Sequence, residues 1–201
     1  MNGCRLKIST GAILLAALVF YIGEPETVSA VLLAILAHEL GHILMLRLLG
    51  LSIQGIRAEL RGLCIEYGGV TGAVGHALAA AAGPAAGLLY ALFAAALGAR
   101  LNCSWLYLSA GTSLLLSLFN LLPALPLDGG RILLSLSCAL LGEQRGRRLA
   151  EGSGLLLGTA LLACGVYFAV SGHGAAVLLA ATWLLLYQES GRGIVKRREM
   201  I

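Results

Sequence analysis

The stretch Val31-Leu32-Leu33-Ala34-Ile35-Leu36-Ala37-His38-Glu39-Leu40-Gly41-His42-Ile43-Leu44-Met45 places three ionisable side chains inside a continuous apolar run. Such a run predicts a helix that crosses a membrane. On a helix, His38 and His42 are four residues apart and share a face, so both imidazoles can reach one metal ion. Glu39 lies beside them, where a carboxylate can accept a proton from water on that metal. Because such side chains are costly at membrane depth, the pattern favours a zinc site.

The composition of the whole chain indicates an all-α polytopic membrane protein with a single membrane-embedded domain over residues 1–201. The 201 residues are 59% hydrophobic and only 12% charged, and the mean hydropathy is +0.90. Soluble domains contain roughly 25% charged residues. The net charge is +4, and the basic residues lie mainly at the ends of apolar runs. This distribution is typical of residues that orient a protein in a membrane, and it argues against nucleic-acid binding. The five scattered cysteines indicate no disulfide framework.

Hydropathy and breaks in the apolar runs predict six transmembrane helices. Their expected ranges are 8–22, 28–48, 74–98, 104–141, 154–171 and 174–189. The fourth run is too long for one straight span. We expect Pro123 and Pro126 to break it, giving one crossing with an unwound centre. Counting Lys and Arg places both termini in the cytoplasm.

Residues 51–71 differ from the rest of the chain because apolar and polar residues alternate there. Ile56, Ala58 and Leu60 alternate with charged residues, and this period of two predicts two strands with a turn near residues 61–62. An amphipathic loop at the interface is the alternative interpretation. The predicted fold is therefore six transmembrane helices with a small cytoplasmic-side β-hairpin.

Two histidines do not complete a catalytic zinc site, which is expected to have three protein ligands. Asp128 is the best candidate for the third. Its other possible role is to cap a helix over residues 129–141, and the two roles are compatible. His76 could touch a substrate or simply lie at the interface. Arg131 could orient Asp128 by pairing with it or extend towards the interface, and the sequence favours neither. His173 is expected in a solvated outer loop.

Two motifs together resemble those of the site-2 protease family of intramembrane metalloproteases. That family pairs HExxH with an NxxPxxxLDG segment, and this chain has His38-Glu39-Leu40-Gly41-His42 and Asn120-Leu121-Leu122-Pro123-Ala124-Leu125-Pro126-Leu127-Asp128-Gly129. Ala82-Gly83-Pro84 resembles the family's AGP segment. Gly87 stands where some members have Asn. The resemblance covers residues 28–141, the expected catalytic core.

The resemblance implies that His38, His42 and Asp128 bind one zinc ion and that Glu39 is the general base. It also implies that Asn120 is a polar group near the scissile carbonyl. The expected activity is hydrolysis of peptide bonds in membrane-tethered protein substrates, in or near the bilayer, with release of a cytoplasmic regulatory factor. The short six-span form is similar to the sporulation protease that processes a pro-sigma factor. This suggests a multi-pass protein of a bacterial cell membrane, with a regulatory membrane protein as a further partner.

The chain is expected to lack the PDZ and CBS domains of some relatives. Without a PDZ domain, we expect strand 56–60 to present an unpaired edge and to bind the substrate as an added strand. The sequence leaves two alternatives to a protease. One is a zinc transporter, and the other is a proteolytically inactive membrane scaffold.

Overall fold

The computed structural model describes residues 5–8, 20–21, 23–59, 62–69 and 71–170. The chain forms two compact units, Met1–Asn120 and Leu121–Ile201. The first unit contains β1 (Arg5–Ile8), α1 (Pro25–Leu48), β2 (Ser52–Glu59), β3 (Gly62–Gly68), α2 (Ala73–Leu101) and α3 (Ser104–Asn120). The second contains α4 (Asp128–Leu141) and α5 (Glu143–Val170).

Small residues form the interior of the first unit, and large apolar residues cover its outside. The buried positions include Ala30, Ala34 and Gly41 on α1, Gly83, Gly87, Ala91 and Ala94 on α2, and Ser109, Ser113 and Ser117 on α3. The exposed positions include Leu32, Leu36, Leu40, Leu44 and Leu48 on α1 and Leu89, Leu92 and Phe93 on α2. This arrangement suits lipid, where large apolar side chains lose nothing by remaining outside and small ones let helices approach closely.

The ends of α1 follow from its sequence. Pro25 opens the helix at a position where a missing N–H costs little. Glu26 in the first turn and Arg47 in the last turn both complement the helix dipole. The helix ends before Gly50, which has φ +74°, a left-handed conformation that glycine adopts readily.

The N-terminal ends of α1 and α3 are joined through an indole. Trp105 Nε1 donates to the backbone oxygen of Glu26 at 3.1 Å and to Ser29 Oγ at 3.0 Å. Both contacts lie in the first turns of their helices, so α1 and α3 start at the same level and run in the same direction.

The predicted hairpin is part of a three-stranded sheet with the order β1-β2-β3. Strand β2 pairs antiparallel with β3, as predicted, but it also pairs in parallel with β1 through the register Arg5 to Gly55 and Ile8 to Ala58. Strand β2 therefore lies in the centre. The prediction that strand 56–60 presents an unpaired edge is wrong, because Arg5–Ile8 occupies that edge.

Within the described residues, three helices are long and apolar enough to cross a membrane by length and composition, and this makes the chain an integral membrane protein. They are Pro25–Leu48, Ala73–Leu101 and Glu143–Tyr167. The first two match the predicted spans at 28–48 and 74–98. The third begins 11 residues before the predicted start at 154.

The first and sixth predicted spans fall largely outside the described residues. Of the predicted span at 8–22, Ile8 belongs to β1, and residues 9–19 and 22 are not described. The predicted span at 174–189 lies wholly outside the described ranges. The count of six spans therefore stays a prediction.

The long run at 104–141 is divided into α3 and α4, as expected from its two prolines. In the second unit, the connecting residues turn back on the start of α4. The N–H of Leu127 donates to the Ala124 oxygen at 2.8 Å, and Ala124 is fully buried. A Cβ added at Gly129 would lie 2.6 Å from the backbone oxygen of Leu122, so only glycine permits this approach. Ser153 on α5 donates to the Pro123 oxygen at 2.8 Å and so fixes the loop.

Candidate metal centre

The imidazoles of His38 and His42 lie side by side on α1. Their Nε2 atoms are 3.2 Å apart, and their ring planes meet at 78°. Two nitrogen ligands of a tetrahedral zinc ion, each about 2.1 Å from the metal, would be about 3.4 Å apart. The two nitrogen atoms therefore have the separation that one shared zinc ion requires. His38 is 5% exposed and His42 is half-buried.

The orientation of His42 is fixed by the backbone of the neighbouring helix. Its Nδ1 lies 2.7 Å from the carbonyl oxygen of Ala79 on α2. A carbonyl oxygen can only accept, so Nδ1 carries the proton and Nε2 keeps its lone pair. A metal-binding histidine commonly has this arrangement, which fixes the tautomer and aims the ligand atom.

Two glycines make room for this geometry. A Cβ added at Gly83 of α2 would meet the His42 ring, at 2.5 Å from Cε1 and 2.7 Å from Cδ2. A Cβ added at Gly41 of α1 would lie 2.6 Å from the Cβ of Ala86. The missing side chains let α1 and α2 pack closely enough for the imidazole to reach the Ala79 carbonyl. Pro84, fully buried inside α2, follows directly after Gly83.

Asp128 is the first residue of α4 in the second unit and is 6% exposed. Leu127 occupies the N-cap position, so Asp128 does not cap the helix in the way that the alternative interpretation required. Nη1 of Arg131, one turn later, lies 4.0 Å from Asp128 Oδ1, while the Arg131 side chain itself is 55% exposed. This is the pairing that the sequence left open, at the outer limit of an ion pair.

His38 and His42 of the first unit and Asp128 of the second make up the group of candidate metal ligands. Two imidazoles and one carboxylate are a ligand set that zinc accepts in catalytic sites, where a fourth position remains open.

Three other predicted residues lie outside that group. Glu39 is half-buried and follows His38 directly on α1. The amide of Asn120 donates to the Leu116 oxygen of its own helix at 3.0 Å. His76 is exposed, and its Nδ1 lies 3.1 Å from the Tyr67 hydroxyl, so it joins the start of α2 to β3. His173 lies outside the described residues.

The sequence did not identify the residues that support His42. The role of Ala79 rests on a backbone carbonyl, which every residue type has, so no sequence signal could reveal it. Gly83 belongs to the AGP segment, but the motif does not indicate that this glycine leaves space for an imidazole, which depends on the packing of α1 on α2.

Comparisons with known proteins agree with these features. Residues 100–164 match the model of peptidase family M50. The chain is 32% identical over 175 residues to the zinc metalloprotease Rip3 of Mycobacterium tuberculosis, covering 76% of this chain and 40% of that protein. It is 33% identical over 134 residues to the zinc metalloprotease sll0528 of Synechocystis, covering 61% of this chain and 35% of that protein. The chain thus spans two fifths or less of the length of these relatives.

The fold has a counterpart among solved structures. The site-2 protease from Methanocaldococcus jannaschii superposes with a TM-score of 0.71 at 21% sequence identity, covering 94% of this chain and 91% of that one. At that identity the likeness describes the fold alone.

Proposed function

We propose that this chain is an intramembrane zinc metalloprotease of peptidase family M50, a proposal supported by the match of residues 100–164 to that family's model and by the likeness to the site-2 protease fold. Its substrates are membrane-tethered proteins, cut in or near the bilayer. His38, His42 and Asp128 are the metal ligands, and Glu39 is the general base. The similarity to relatives named as zinc metalloproteases supports zinc as the ion.

The observation that carries the proposal is the pair of imidazole Nε2 atoms 3.2 Å apart, one of them aimed by a backbone carbonyl. Asp128, buried at the start of α4, is the third ligand in this proposal. A zinc site with only a structural role needs no adjacent base, and Glu39 stands next to one ligand. This combination favours hydrolysis over a purely structural site.

The chemistry divides between the ion and the chain. When bound, zinc acts as a Lewis acid that polarises the scissile carbonyl and makes water a nucleophile at neutral pH. The Glu39 carboxylate accepts the proton of the attacking water and passes it to the leaving amine. His42 keeps its ligand nitrogen in place through the Ala79 carbonyl. Asn120 lies at the end of α3, where its amide can leave Leu116 and donate to a substrate carbonyl.

The depth of the site sets the kind of substrate. Arg47 lies nine residues after His38, so the site is about 14 Å inside the end of α1 at 1.5 Å per residue. We place this end at the cytoplasmic face of a bacterial cell membrane, with both termini cytoplasmic. Substrates are then cut near their cytoplasmic side. The product is a released regulatory factor, and a regulatory membrane protein controls the step.

A helical substrate must unwind before its peptide bonds can react. Strand addition to a sheet edge holds a segment extended. Strand β2 cannot serve because β1 and β3 flank it. Among the described strands, β1 and β3 each have a neighbour on one side only. We assign docking to the outer edge of β3, Gly62–Gly68, because its 7 residues offer more backbone groups than the 4 residues of β1.

The experiment is a comparison of membrane proteomes from cells that express the wild-type chain or Glu39→Gln. Amide nitrogen and oxygen cannot accept the proton, yet the substitution leaves the ligands in place, so cleavage should stop while the purified variant keeps its zinc. Substrates should accumulate uncut in the variant. Equal cleavage by both proteins would overturn the mechanism. Zinc flux in proteoliposomes without any cleavage would support a transporter instead.

A further inference from the structure

One buried hydroxyl on α3 has no part in the proposed mechanism. Ser109, Ser113 and Ser117 form a stripe on α3, and each is fully buried. Ser109 Oγ lies 2.6 Å from the Tyr90 hydroxyl, and Ser113 Oγ donates to the Gly87 oxygen at 2.8 Å. Within the described part of the chain, Ser117 Oγ has no hydrogen-bond partner. A buried polar group in that state costs stability, so its presence calls for a function.

The position of this hydroxyl is defined by Gly87 of α2. A Cβ added at Gly87 would collide with Ser117 Oγ, so the hydroxyl occupies the space that a side chain at residue 87 would fill. A serine in a helix usually satisfies its hydroxyl on the preceding turn of its own backbone. The Ser117 hydroxyl makes no such bond to its own helix and lies instead at the interface between α3 and α2.

Ser117 lies within one helical turn of the level of His38. Helices α1 and α2 run in opposite directions, and His42 contacts Gly83. His38 precedes His42 by four residues on α1, and Gly87 follows Gly83 by four residues on α2. Because the two helices are antiparallel, His38 and Gly87 lie at about the same level. The contact of Trp105 with Ser29 gives an independent check through α3. His38 lies nine residues beyond Ser29 and Ser117 lies 12 beyond Trp105, so their depths differ by about 4.5 Å, less than one helical turn.

We propose that Ser117 is a positioning residue for His38, with its hydroxyl accepting a hydrogen bond from the Nδ1–H of His38 when zinc is bound. This inference rests on the proposed function. A metal that takes Nε2 of His38 leaves the proton on Nδ1, and metal-binding histidines have an acceptor for that proton. The Ala79 carbonyl has this role for His42. Ser117 supplies the equivalent for His38 from the opposite helix, and Gly87 provides the space.

The test is the zinc affinity of the purified full-length protein, measured by competition with a chromophoric chelator. Ser117→Ala should weaken zinc binding by about 10- to 100-fold, the usual effect of removing a partner behind a metal ligand. The matched control is Ser113→Ala, one turn away and equally buried, which should change zinc affinity by no more than about twofold. Ser117→Thr keeps the hydroxyl and should restore most of the affinity.

The thermal stability of the metal-free protein separates positioning from packing. Ser117→Ala removes a hydroxyl that has no partner, so the melting temperature without metal should stay the same or rise. Ser113→Ala loses the hydrogen bond to the Gly87 oxygen, so this substitution should lower the melting temperature of the metal-free protein. In the cobalt-substituted protein, Ser117→Ala should shift the visible absorption bands, and Ser113→Ala should leave them unchanged.

Two results would overturn the inference. The first is wild-type zinc affinity in Ser117→Ala. The second is a loss of metal-free stability in Ser117→Ala equal to that in Ser113→Ala, with an unchanged cobalt spectrum. A wild-type protein that binds no zinc would instead refute the proposed function, before any Ser117 variant is compared.

Discussion

The substitution Gly83→Ala tests the packing that aims His42. It adds one methyl group on α2 without changing charge or polarity. The new Cβ would lie 2.5 Å from His42 Cε1 and 2.7 Å from Cδ2. It would also press against Nε2, the atom assigned to the metal.

The size of the effect follows from these distances. Ordinary contacts of a Cβ begin at 3.4 Å, so relief of the 2.5 Å contact with Cε1 alone requires the ring to retreat by about 0.9 Å, and the closer contact with Nε2 requires more. A zinc site tolerates changes in ligand distance of about 0.2 Å. The displaced ring therefore loses either the metal or the Ala79 carbonyl. Loss of a supporting hydrogen bond alone costs 10- to 100-fold in metal affinity, so we expect zinc affinity to fall by about 100-fold or more.

The fold should survive the substitution. Overpacking costs about 1–3 kcal/mol, and replacing glycine by alanine in a helix returns about 0.5–1 kcal/mol. The assay is zinc content and zinc affinity of the purified variant, together with its melting temperature without metal. Gly111→Ala is the matched control, because it lies on α3 and its added Cβ would meet nothing within 4 Å. It should keep wild-type zinc binding. Wild-type affinity in Gly83→Ala would show that His42 does not bind the metal from the orientation described.

Three further outcomes are expected. Asp128→Ala should lose both zinc and cleavage, because two imidazoles alone hold the ion weakly; full zinc occupancy in this variant would remove Asp128 from the ligand set. Cysteine introduced at Gly172 should react with an impermeant reagent from outside intact cells, and cysteine at Gly193 should not; the reverse pattern contradicts the six-span topology. Proline at alternate positions of Gly62–Gly68, where the N–H points away from β2, should lower cleavage with zinc content unchanged, whereas alanine there should have little effect. Normal cleavage by every such proline variant would exclude β3 as the docking edge.

The helical part of the fold was largely accessible from the sequence. The limits of α1 and α2 were predicted to within three residues, because uninterrupted apolar runs leave few other structures possible in a membrane. The helix break near Pro123 was predicted for the same kind of local reason. The start of α5 was missed because its first turns carry Glu143 and several arginines, which do not resemble a span although they extend its helix.

The parts that the sequence did not reveal depend on contacts between distant residues. Arg5–Ile8 is a four-residue strand whose pairing with β2 closes more than 40 residues of chain, and no local pattern specifies such a partner. The candidate ligands were found because their side-chain chemistry and spacing are distinctive. The support behind His42 was not found, because it consists of the carbonyl of Ala79 and the missing side chain of Gly83.

The interior of small residues reverses the usual rule of tolerance to substitution. In a water-soluble protein, trimming a large core side chain is the damaging change, and enlarging a surface alanine is harmless. Here the leucines at positions such as Leu36 and Leu44 face outwards and can be exchanged for other apolar residues at little cost. Ala34 and Gly41 are buried where helices touch, and even one added carbon there would separate α1 from its neighbours. A saturation mutagenesis map of this chain would therefore find its most restricted positions among alanines and glycines, with the large side chains forming the permissive surface.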